Sequence, residues 1–257
     1  MKKKVGELYS IFRSLGRPIE HDSLFFALEE VKKGLLSHPD KRKPSIPASD
    51  RPYDLGRITS YWDSLPSNLD LPLEDLRLKA IVLVMIAGLA RPSDLARLDL
   101  DSLRDTGTDL WLWVWRAKNS GSGYSAPMVL RKLPAGEALH CPVRALKCYL
   151  DRTALLRPAT PPPESVRPVF IVSHRPFTGL SPDRISVLVR DFLRTLGVDA
   201  STYSIRKRAT TAALEAGVAP STVQAGGRWK NIDTMWSHYV RPADPAAAGA
   251  AAIQGGR

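Results

Sequence analysis

The sequence predicts a mainly α-helical fold that contains a small antiparallel β-sheet. Most of the chain repeats apolar residues at helical spacing, but "DLWLWVWRAK" (109–118) alternates tryptophan with leucine and valine, which is typical of a strand. The Gly/Ser-rich turn "NSGSG" (119–123) separates this strand from a second apolar segment, "APMVLRKL" (126–133), and that order predicts a hairpin. With 257 residues, 44% of them hydrophobic and 25% charged, the chain has the composition of a globular protein.

The main domain is built from helices that the apolar spacing and the helix-starting residues predict one by one. Pro142 stands where a first helical turn favours proline, and Ser201 or Thr202 serves as a helix cap. Both faces of the strand at 109–118 are apolar, so we expect both to be covered and its tryptophans to lie in the core. The predicted helices are 54–64, 73–90, one that starts after 91–94, 141–153, 181–196, 202–216, 219–226 and 231–240, and a short strand is predicted at 169–172.

Composition divides the chain into four segments. Residues 1–37 carry two helical patterns, which cannot bury much core alone, so we expect a fragment of a larger helical unit or a piece that docks on the main domain. Residues 38–51 are rich in proline and basic residues and predict a linker. The main domain spans 52–242, and the Ala/Gly-rich residues 243–257 predict a flexible tail.

The formal charge of +11 comes from Lys and Arg spread over the whole chain. Such a basic body suits a polyanion, although basicity alone does not separate nucleic-acid enzymes from simple DNA binders or from membrane-surface proteins. No apolar run reaches the roughly 18–20 residues that a membrane span requires. The two cysteines, Cys141 and Cys148, predict free thiols in a reducing compartment. We expect no metal site, because His140 and Cys141 have no second ligand pair at suitable spacing.

Two arginines are candidate phosphate ligands. Arg91 ends a strongly apolar helix just before a proline, and a guanidinium anchored there suits bidentate contact with a phosphate. The alternative is a solvated arginine paired with Asp94. Arg206 lies near the apolar border of its helix, whereas three adjacent cations, here Arg206, Lys207 and Arg208, are more often a solvated face.

Lys118 and Tyr239 are candidates whose individual patterns are weak. Lys118 ends the tryptophan-rich strand, where an ammonium can reach into a cleft, although most lysines at hairpin tips are solvated. Tyr239 lies in "GGRWKNIDTMWSHYVRP" (226–242), and its spacing from Met235 and Trp236 alone predicts a short amphipathic helix. A reactive phenol is indicated only if other segments supply cations around it.

The ordered set of segments is more specific than its members. "GLARPSDLARLDLD", the hairpin lysine, "CPVRALKCYL", "YSIRKRATT" and "GGRWKNIDTMWSHYVRP" follow one another in an order and at separations that resemble the tyrosine recombinase (phage integrase) family. The resemblance covers about residues 52–242. It is closest to recombinases of eukaryotic mobile elements such as DIRS-like retrotransposons and cryptons, because the interval of ten positions from Trp229 to Tyr239 fits their "W…T…Y" pattern.

The resemblance implies a fold, namely that of the tyrosine recombinase catalytic domain, and a role for each matching residue. Tyr239 matches the nucleophile, and Tyr203 stands where the family carries the histidine of its His-x-x-Arg motif. The other catalytic matches are Arg91 as first arginine, Asp94 as its supporting acid, Lys118 as hairpin lysine and general acid, Arg206 as second arginine, and Trp229 in the place of a histidine or tryptophan. The cations expected to bind DNA are Arg116, Lys207, Arg208, Arg228 and Lys230.

The implied function is that of a site-specific DNA recombinase or integrase that cuts and rejoins DNA through a 3′-phosphotyrosine. The implied partners are double-stranded DNA and three further copies in a tetramer, with no metal, ATP, other cofactor or membrane, in an intracellular, DNA-associated location that is nuclear in a eukaryote. Residues 1–37 then match part of a core-binding domain. Tyr203 and this short segment favour one alternative, an impaired or domesticated recombinase that only binds DNA. A type IB topoisomerase-like nicking enzyme is a further alternative, because such enzymes share the cations and the tyrosine.

Overall fold

The computed structural model describes residues 53–116, 123–135, 139–157 and 166–240. All of them belong to the main domain predicted at 52–242. The segments predicted at 1–37, 38–51 and 243–257, and the hairpin residue Lys118, lie outside these ranges.

Helices dominate the described part of the chain, as the sequence predicts. Several begin with a proline in the first turn, which lacks only an N–H that would have no helical partner. Ser181 and Asn231 cap two of them by accepting a backbone N–H. The helices are α1 (Gly56–Asp63), α2 (Leu73–Ala87), α3 (Pro92–Leu95), α4 (Pro142–Thr153), α5 (Pro182–Thr195), α6 (Thr202–Glu215), α7 (Pro220–Gly226) and α8 (Ile232–Tyr239).

Three strands form one antiparallel sheet in the order β1-β2-β3: β1 (Leu98–Asp105), β2 (Asp109–Val114) and β3 (Met128–Arg131). The predicted hairpin is confirmed, since Leu110 pairs with Leu130 and Leu112 with Met128. The sheet and the helices together confirm the predicted fold class.

Two predictions of secondary structure are wrong. The helix expected after 91–94 is a single turn that ends at Leu95. The chain then enters β1, because Leu98 pairs with Val114, the last residue of β2. Residues 169–172 do not form a regular strand, since Ile171 makes only an isolated bridge with Gly179.

The faces of β2 also differ from the prediction. Leu110, Leu112 and Val114 are fully buried, whereas the alternating tryptophans at 111, 113 and 115 are half-buried on the opposite face. The aliphatic side chains therefore form the core face of this strand. The tryptophans cover its other side.

The core is organised around α2, which is apolar on all sides because it packs against α4, α5 and α6. A second, smaller cluster meets this main core at Leu55 and Ile86, and it is formed by Leu89, Ala209, Val223, Trp229, Met235 and Tyr239. This second cluster contains two of the predicted site residues, Trp229 and Tyr239.

Two further sequence predictions concern cysteines and membranes. Cys141 is buried, Cys148 is half-buried, and both are free thiols, as predicted. Within the described ranges, none of the helices combines the length and the apolar character needed to cross a membrane.

Replacing Leu112 by alanine is expected to lower the free energy of unfolding by about 2–5 kcal/mol, because the substitution leaves a cavity in the main core. The matched control is Val129→Ala on the neighbouring strand, where the side chain is 39% exposed and a small effect is expected. Urea unfolding of the two variants measures the difference. Equal losses would contradict the assignment of the core face of β2.

Candidate active site

The connection between α2 and α3 sets the position of Arg91. A β-carbon on Gly88 would lie 2.6 Å from the sulfur of Met128, so only glycine lets the chain pass the sheet this closely. Leu89 follows with a φ of 45°, which turns the chain sharply out of α2. Arg91 is then the extended residue before α3, and its N–H donates to Asp94 Oδ2 at 3.0 Å in a capping box. This local structure holds the Asp94 carboxylate beside Arg91.

Asp94 gathers three guanidinium groups around one buried carboxylate. The residue is 3% exposed, and its Oδ2 lies 3.2 Å from Arg228 Nη2, 3.6 Å from Arg206 Nη1 and 4.0 Å from Arg91 Nη1. Because nitrogens of Arg91 and Arg206 approach the same oxygen, the two groups are close enough to hold one anion. Three guanidinium groups and one carboxylate leave two positive charges.

Arg206 is the most buried of these cations, at 1% exposure. Its Nη2 donates to the Gly227 carbonyl at 2.7 Å, and its guanidinium carbon lies 4.3 Å from the Trp229 ring and 4.9 Å from the Tyr239 ring. Burial, followed by the charge of Arg91, lowers the pKa of Arg206 to about 9, so the group is still protonated at pH 7. Its Nε has no hydrogen-bond partner among the described residues.

The turn "GGRW" (226–229) between α7 and α8 brings Trp229 onto Arg206. A β-carbon on Gly227 would lie 1.8 Å from the Trp229 ring, so the absence of a side chain there lets the indole fold back over the turn. Trp229 is 5% exposed, and its Nε1 is buried without a partner in the described part of the chain. The indole therefore packs against the site, while its donor remains available.

Tyr239, at the end of α8, lies with its hydroxyl beside Arg91 and Tyr203. Arg91 Nη2 donates to Tyr239 Oη at 3.4 Å, and the rings of Tyr203 and Tyr239 lie 5.1 Å apart. Burial raises the pKa of Tyr203, and so does its hydrogen bond to Tyr239. For Tyr239 burial acts in the same direction, but hydrogen bonds with Tyr203 and Arg91 and the charge of Arg206 outweigh it and lower its pKa. These opposite directions of the two pKa values correspond to a Tyr203 hydroxyl that donates to the Tyr239 oxygen.

An open pocket of about 780 Å³ lies over these groups. It is lined by Arg91, Tyr203, Gln224, Trp229, Lys230, Asn231, Ile232, Thr234, His238 and Tyr239. The predicted residues Arg91, Tyr203, Arg206, Trp229 and Tyr239 are therefore gathered at one place, with Asp94 beneath them. A phenol, two guanidinium groups and an open pocket can bind an anion and present a nucleophile to it.

Sequence reasoning did not select Gln224, Asn231 or His238, which also line the pocket. The available signal was their closeness in sequence to Trp229 and Tyr239. Single polar residues in the turns around a catalytic motif carry no pattern of their own.

The predicted DNA-binding cations are distributed unevenly. Lys230 lines the pocket, and Lys207 Nζ lies 5.3 Å from the Tyr203 ring. Arg116 is exposed at the base of the hairpin, and Arg208 forms an ion pair with Glu215 at 3.0 Å on α6. Arg228, by contrast, is turned inward.

Metal ligands do not cluster in the described ranges, where no group of three or more His, Cys, Asp or Glu residues is arranged to hold an ion. His140 Nδ1 lies 2.8 Å from Asp63, and the Cys141 sulfur accepts the N–H of Leu133.

Comparison of the folds identifies the architecture. The structure aligns with that of the XerH site-specific recombinase bound to palindromic difH substrate with a TM-score of 0.57, over 78% of this chain and 51% of that one, at 13% identity. The XerA recombinase aligns with a TM-score of 0.54 over 96% of this chain and 81% of that one, at 17% identity. This is the tyrosine recombinase catalytic fold. A Tn1549 transposon integrase in complex with transposon right end DNA has it too, at 13% identity and a TM-score of 0.54 over 86% of this chain and 70% of that one.

Sequence comparison supports the tyrosine recombinase/integrase family. An integrase/recombinase XerD homolog from Selenomonas ruminantium is 25% identical over 171 residues, which are 65% of this chain and 48% of that protein. The chain thus spans about half the length of this curated relative. No protein-family model matches the chain.

Gly227→Ala is expected to destabilise this recombinase fold, because the new β-carbon overlaps the Trp229 ring and the turn must shift. The matched control is the preceding residue. Gly226 is the last residue of α7, and the nearest atom to a β-carbon added there is 4.0 Å away. Gly226→Ala is therefore expected to leave the stability unchanged or to raise it slightly. Thermal unfolding of the two variants gives the comparison, and a tolerated Gly227→Ala would argue against this packing of the indole.

Proposed function

We propose that this protein is a site-specific DNA recombinase or integrase that cuts and rejoins DNA through a 3′-phosphotyrosine on Tyr239. The observation that carries the proposal is the convergence of Arg91, Trp229 and Tyr239 on one pocket, with Arg206 buried against the Trp229 and Tyr239 rings and Arg91 Nη2 at 3.4 Å from the phenol oxygen. These residues come from separate segments of the chain. The substrate we propose is double-stranded DNA, in keeping with a formal charge of +11.

The two arginines supply what phosphodiester cleavage requires. Negative charge develops on the nonbridging oxygens of the phosphate in the transition state, and fixed cations beside them lower the barrier. Arg91 and Arg206 are fixed in this sense, because both share Asp94 and Arg206 also donates to the Gly227 carbonyl. Loss of one such donor typically costs about 10²–10³ in rate.

Tyr239 is the nucleophile in this proposal. Its oxygen forms a bond to phosphorus while the bond from phosphorus to the 5′-oxygen breaks, and the phenolic proton passes to solvent. Tyr203 donates a hydrogen bond to that oxygen and stabilises it as a phenolate, which the nearby positive charges also favour. The covalent link conserves the free energy of the phosphodiester, so a 5′-hydroxyl can reseal the strand without ATP.

Lys118 is the proposed general acid that protonates the departing 5′-oxygen. It lies outside the described ranges, and in the sequence it stands between β2 and β3. The base of that hairpin is closed by a bridge between Trp115 and Tyr124, whose hydroxyl donates to the buried Asp99 at 2.5 Å.

A phosphate can reach Arg206 only after a rearrangement. The Tyr239 ring lies 4.9 Å from the Arg206 guanidinium, and Arg206 is 1% exposed, so the phenol covers the cation. Arg91 is more open, with 24% of its side chain exposed. We therefore expect DNA to engage Arg91 first and α8 to shift as the phosphate enters.

The finer features of this proposal rest on the resemblance of the sequence. These are the affinity with DIRS-like and crypton recombinases, a tetramer on two DNA sites, a nuclear location in a eukaryotic host, and the matching of residues 1–37 to part of a core-binding domain. Direct DNA contact by Arg116, Lys207, Arg208 and Lys230 is proposed as well.

A DNA suicide substrate nicked next to the scissile phosphate tests the proposal. Wild-type protein is expected to form a covalent protein–DNA adduct, and Tyr239→Phe is expected to form none, because it lacks the attacking oxygen. Tyr61→Phe removes a hydroxyl from α1, outside the pocket, and is the control that keeps the adduct. Salt-sensitive binding without an adduct would favour a DNA-binding protein, and plasmid relaxation without synapsis a topoisomerase-like enzyme.

Tyr203→Phe is expected to slow adduct formation by about tenfold at pH 7.5, through loss of a hydrogen bond to a charged oxygen. The same change removes an interaction that lowers the pKa of Tyr239, so the rate–pH profile is expected to move to higher pH. The other charged or titratable groups near the phenol are unchanged in this variant: Arg91 and Arg206 still face it, and Lys230 and His238 still line the pocket. The shift of the rate–pH profile is therefore caused by the loss of the Tyr203 hydroxyl. An unchanged profile would remove Tyr203 from the mechanism.

A further inference from the structure

Arg228 occupies a different place from the other cations predicted to bind DNA. Its side chain is 8% exposed, against 24% for Arg91. Its donors are engaged within the protein: Nη2 donates to Asp94 Oδ2 at 3.2 Å, and Nη1 donates to the carbonyls of Gly88 at 3.2 Å and Gly226 at 3.0 Å. These contacts join the α2–α3 connection to the turn before α8. A DNA phosphate has little access to this guanidinium.

The backbone of Arg228 belongs to the turn that ends α7. Its φ of 56° lies in the left-handed region, which is common for the residue that follows a helix C-cap. Two backbone hydrogen bonds close this turn, from the Arg228 N–H to the Ala225 carbonyl at 3.0 Å and from the Trp229 N–H to the Gln224 carbonyl at 3.1 Å. The turn therefore sets the position from which the guanidinium reaches Asp94.

The charges around Asp94 suggest what the guanidinium does. Of the three arginines, Arg228 comes closest to Asp94 Oδ2, at 3.2 Å, while Arg206 and Arg91 lie at 3.6 Å and 4.0 Å. The site therefore has three guanidinium groups, one carboxylate and two positive charges in excess. Without Arg228 only one remains, and Asp94 then competes with an incoming anion for Arg91 and Arg206.

We infer that Arg228 is a positioning residue that neutralises Asp94 and thereby keeps Arg91, and Arg206 once Tyr239 has moved aside, available to a phosphate group. The inference rests on the proposed function, since it takes phosphate as the ligand. Burial lowers the pKa of Arg228 and the charge of Asp94 opposes that shift, so the guanidinium keeps its proton beside the carboxylate.

Inorganic phosphate is the probe for this inference, and the increase in unfolding temperature that it causes reports its affinity. Arg228→Met is expected to weaken phosphate binding by about tenfold to a hundredfold, the effect of one charge at close range. Adding Asp94→Asn is expected to restore the affinity, because the excess of two positive charges returns. Arg194→Met, which removes the cation of an exposed Arg–Asp pair on α5, controls for the general loss of charge.

The double variant distinguishes this role from a structural one. If Arg228 only fastened the two turns, Asp94→Asn would add to the damage, and an affinity no better than that of Arg228→Met would overturn the inference. A wild-type protein that binds no phosphate would overturn it too. Should Arg228→Met not fold, Arg228→Gly tests the same point, since glycine adopts this φ without strain. The suicide-substrate assay reports separately on the proposed function. If phosphate affinity falls in Arg228→Met and recovers with Asp94→Asn, but the wild-type protein forms no adduct with DNA, the proposed recombinase activity is refuted and the role of Arg228 stands.

Discussion

One buried carboxylate constrains the arrangement of the whole site. Asp94 is held in place by the capping box of α3, and its Oδ2 lies within 4.0 Å of guanidinium nitrogens from Arg91, Arg206 and Arg228. These arginines belong to the α2–α3 connection, to α6 and to the turn before α8. Because like charges repel at this distance, the carboxylate between the three guanidinium groups offsets the cost of bringing all three together. Asp94 thus determines where a phosphate can be held.

Burial of Arg206 is tolerated because several partial interactions replace its hydration. Trp229 and Tyr239 present ring faces to the guanidinium, the Gly227 carbonyl accepts from Nη2, and Asp94 lies at 3.6 Å. The Nε–H of Arg206 has no hydrogen-bond acceptor among the residues that the structure describes. A guanidinium that is fixed but not fully paired keeps an attraction for an anion, which is the property that a transition state with developing negative charge requires.

The sequence predicted the parts of the molecule that periodicity and residue order determine. Apolar spacing located the long helices and the hairpin, and the order of weak motifs selected Arg91, Arg206, Trp229 and Tyr239. The fold brings Arg91, Trp229 and Tyr239 to one pocket and packs Arg206 against the two aromatic rings. β1 was missed because "LDLDSLRD" follows a helix-starting motif and its strand character depends on pairing with β2. The inward turn of Arg228 was equally hidden, since it depends on Asp94 and Gly88, 134 and 140 positions away. Apolar periodicity predicts which residues are buried, but it does not predict which charged side chains form ion pairs with one another.

The site is built on the smaller cluster, which meets the main core at Leu55 and Ile86, and this arrangement bears on how Tyr239 can move under the proposed function. Val223, Trp229, Met235 and Tyr239 pack with Leu89 and Ala209, whereas α2 and the sheet belong to the larger core. A small cluster holds its elements less firmly than a large one, so local opening of α7 and α8 costs less than global unfolding. The Tyr239 ring can then leave Arg206 while Asp94, held by α3, keeps Arg91 in place. Under the proposed function, the main core supports α3 and with it Asp94 and Arg91, and the smaller cluster allows Tyr239 to be displaced and returned to the phosphate.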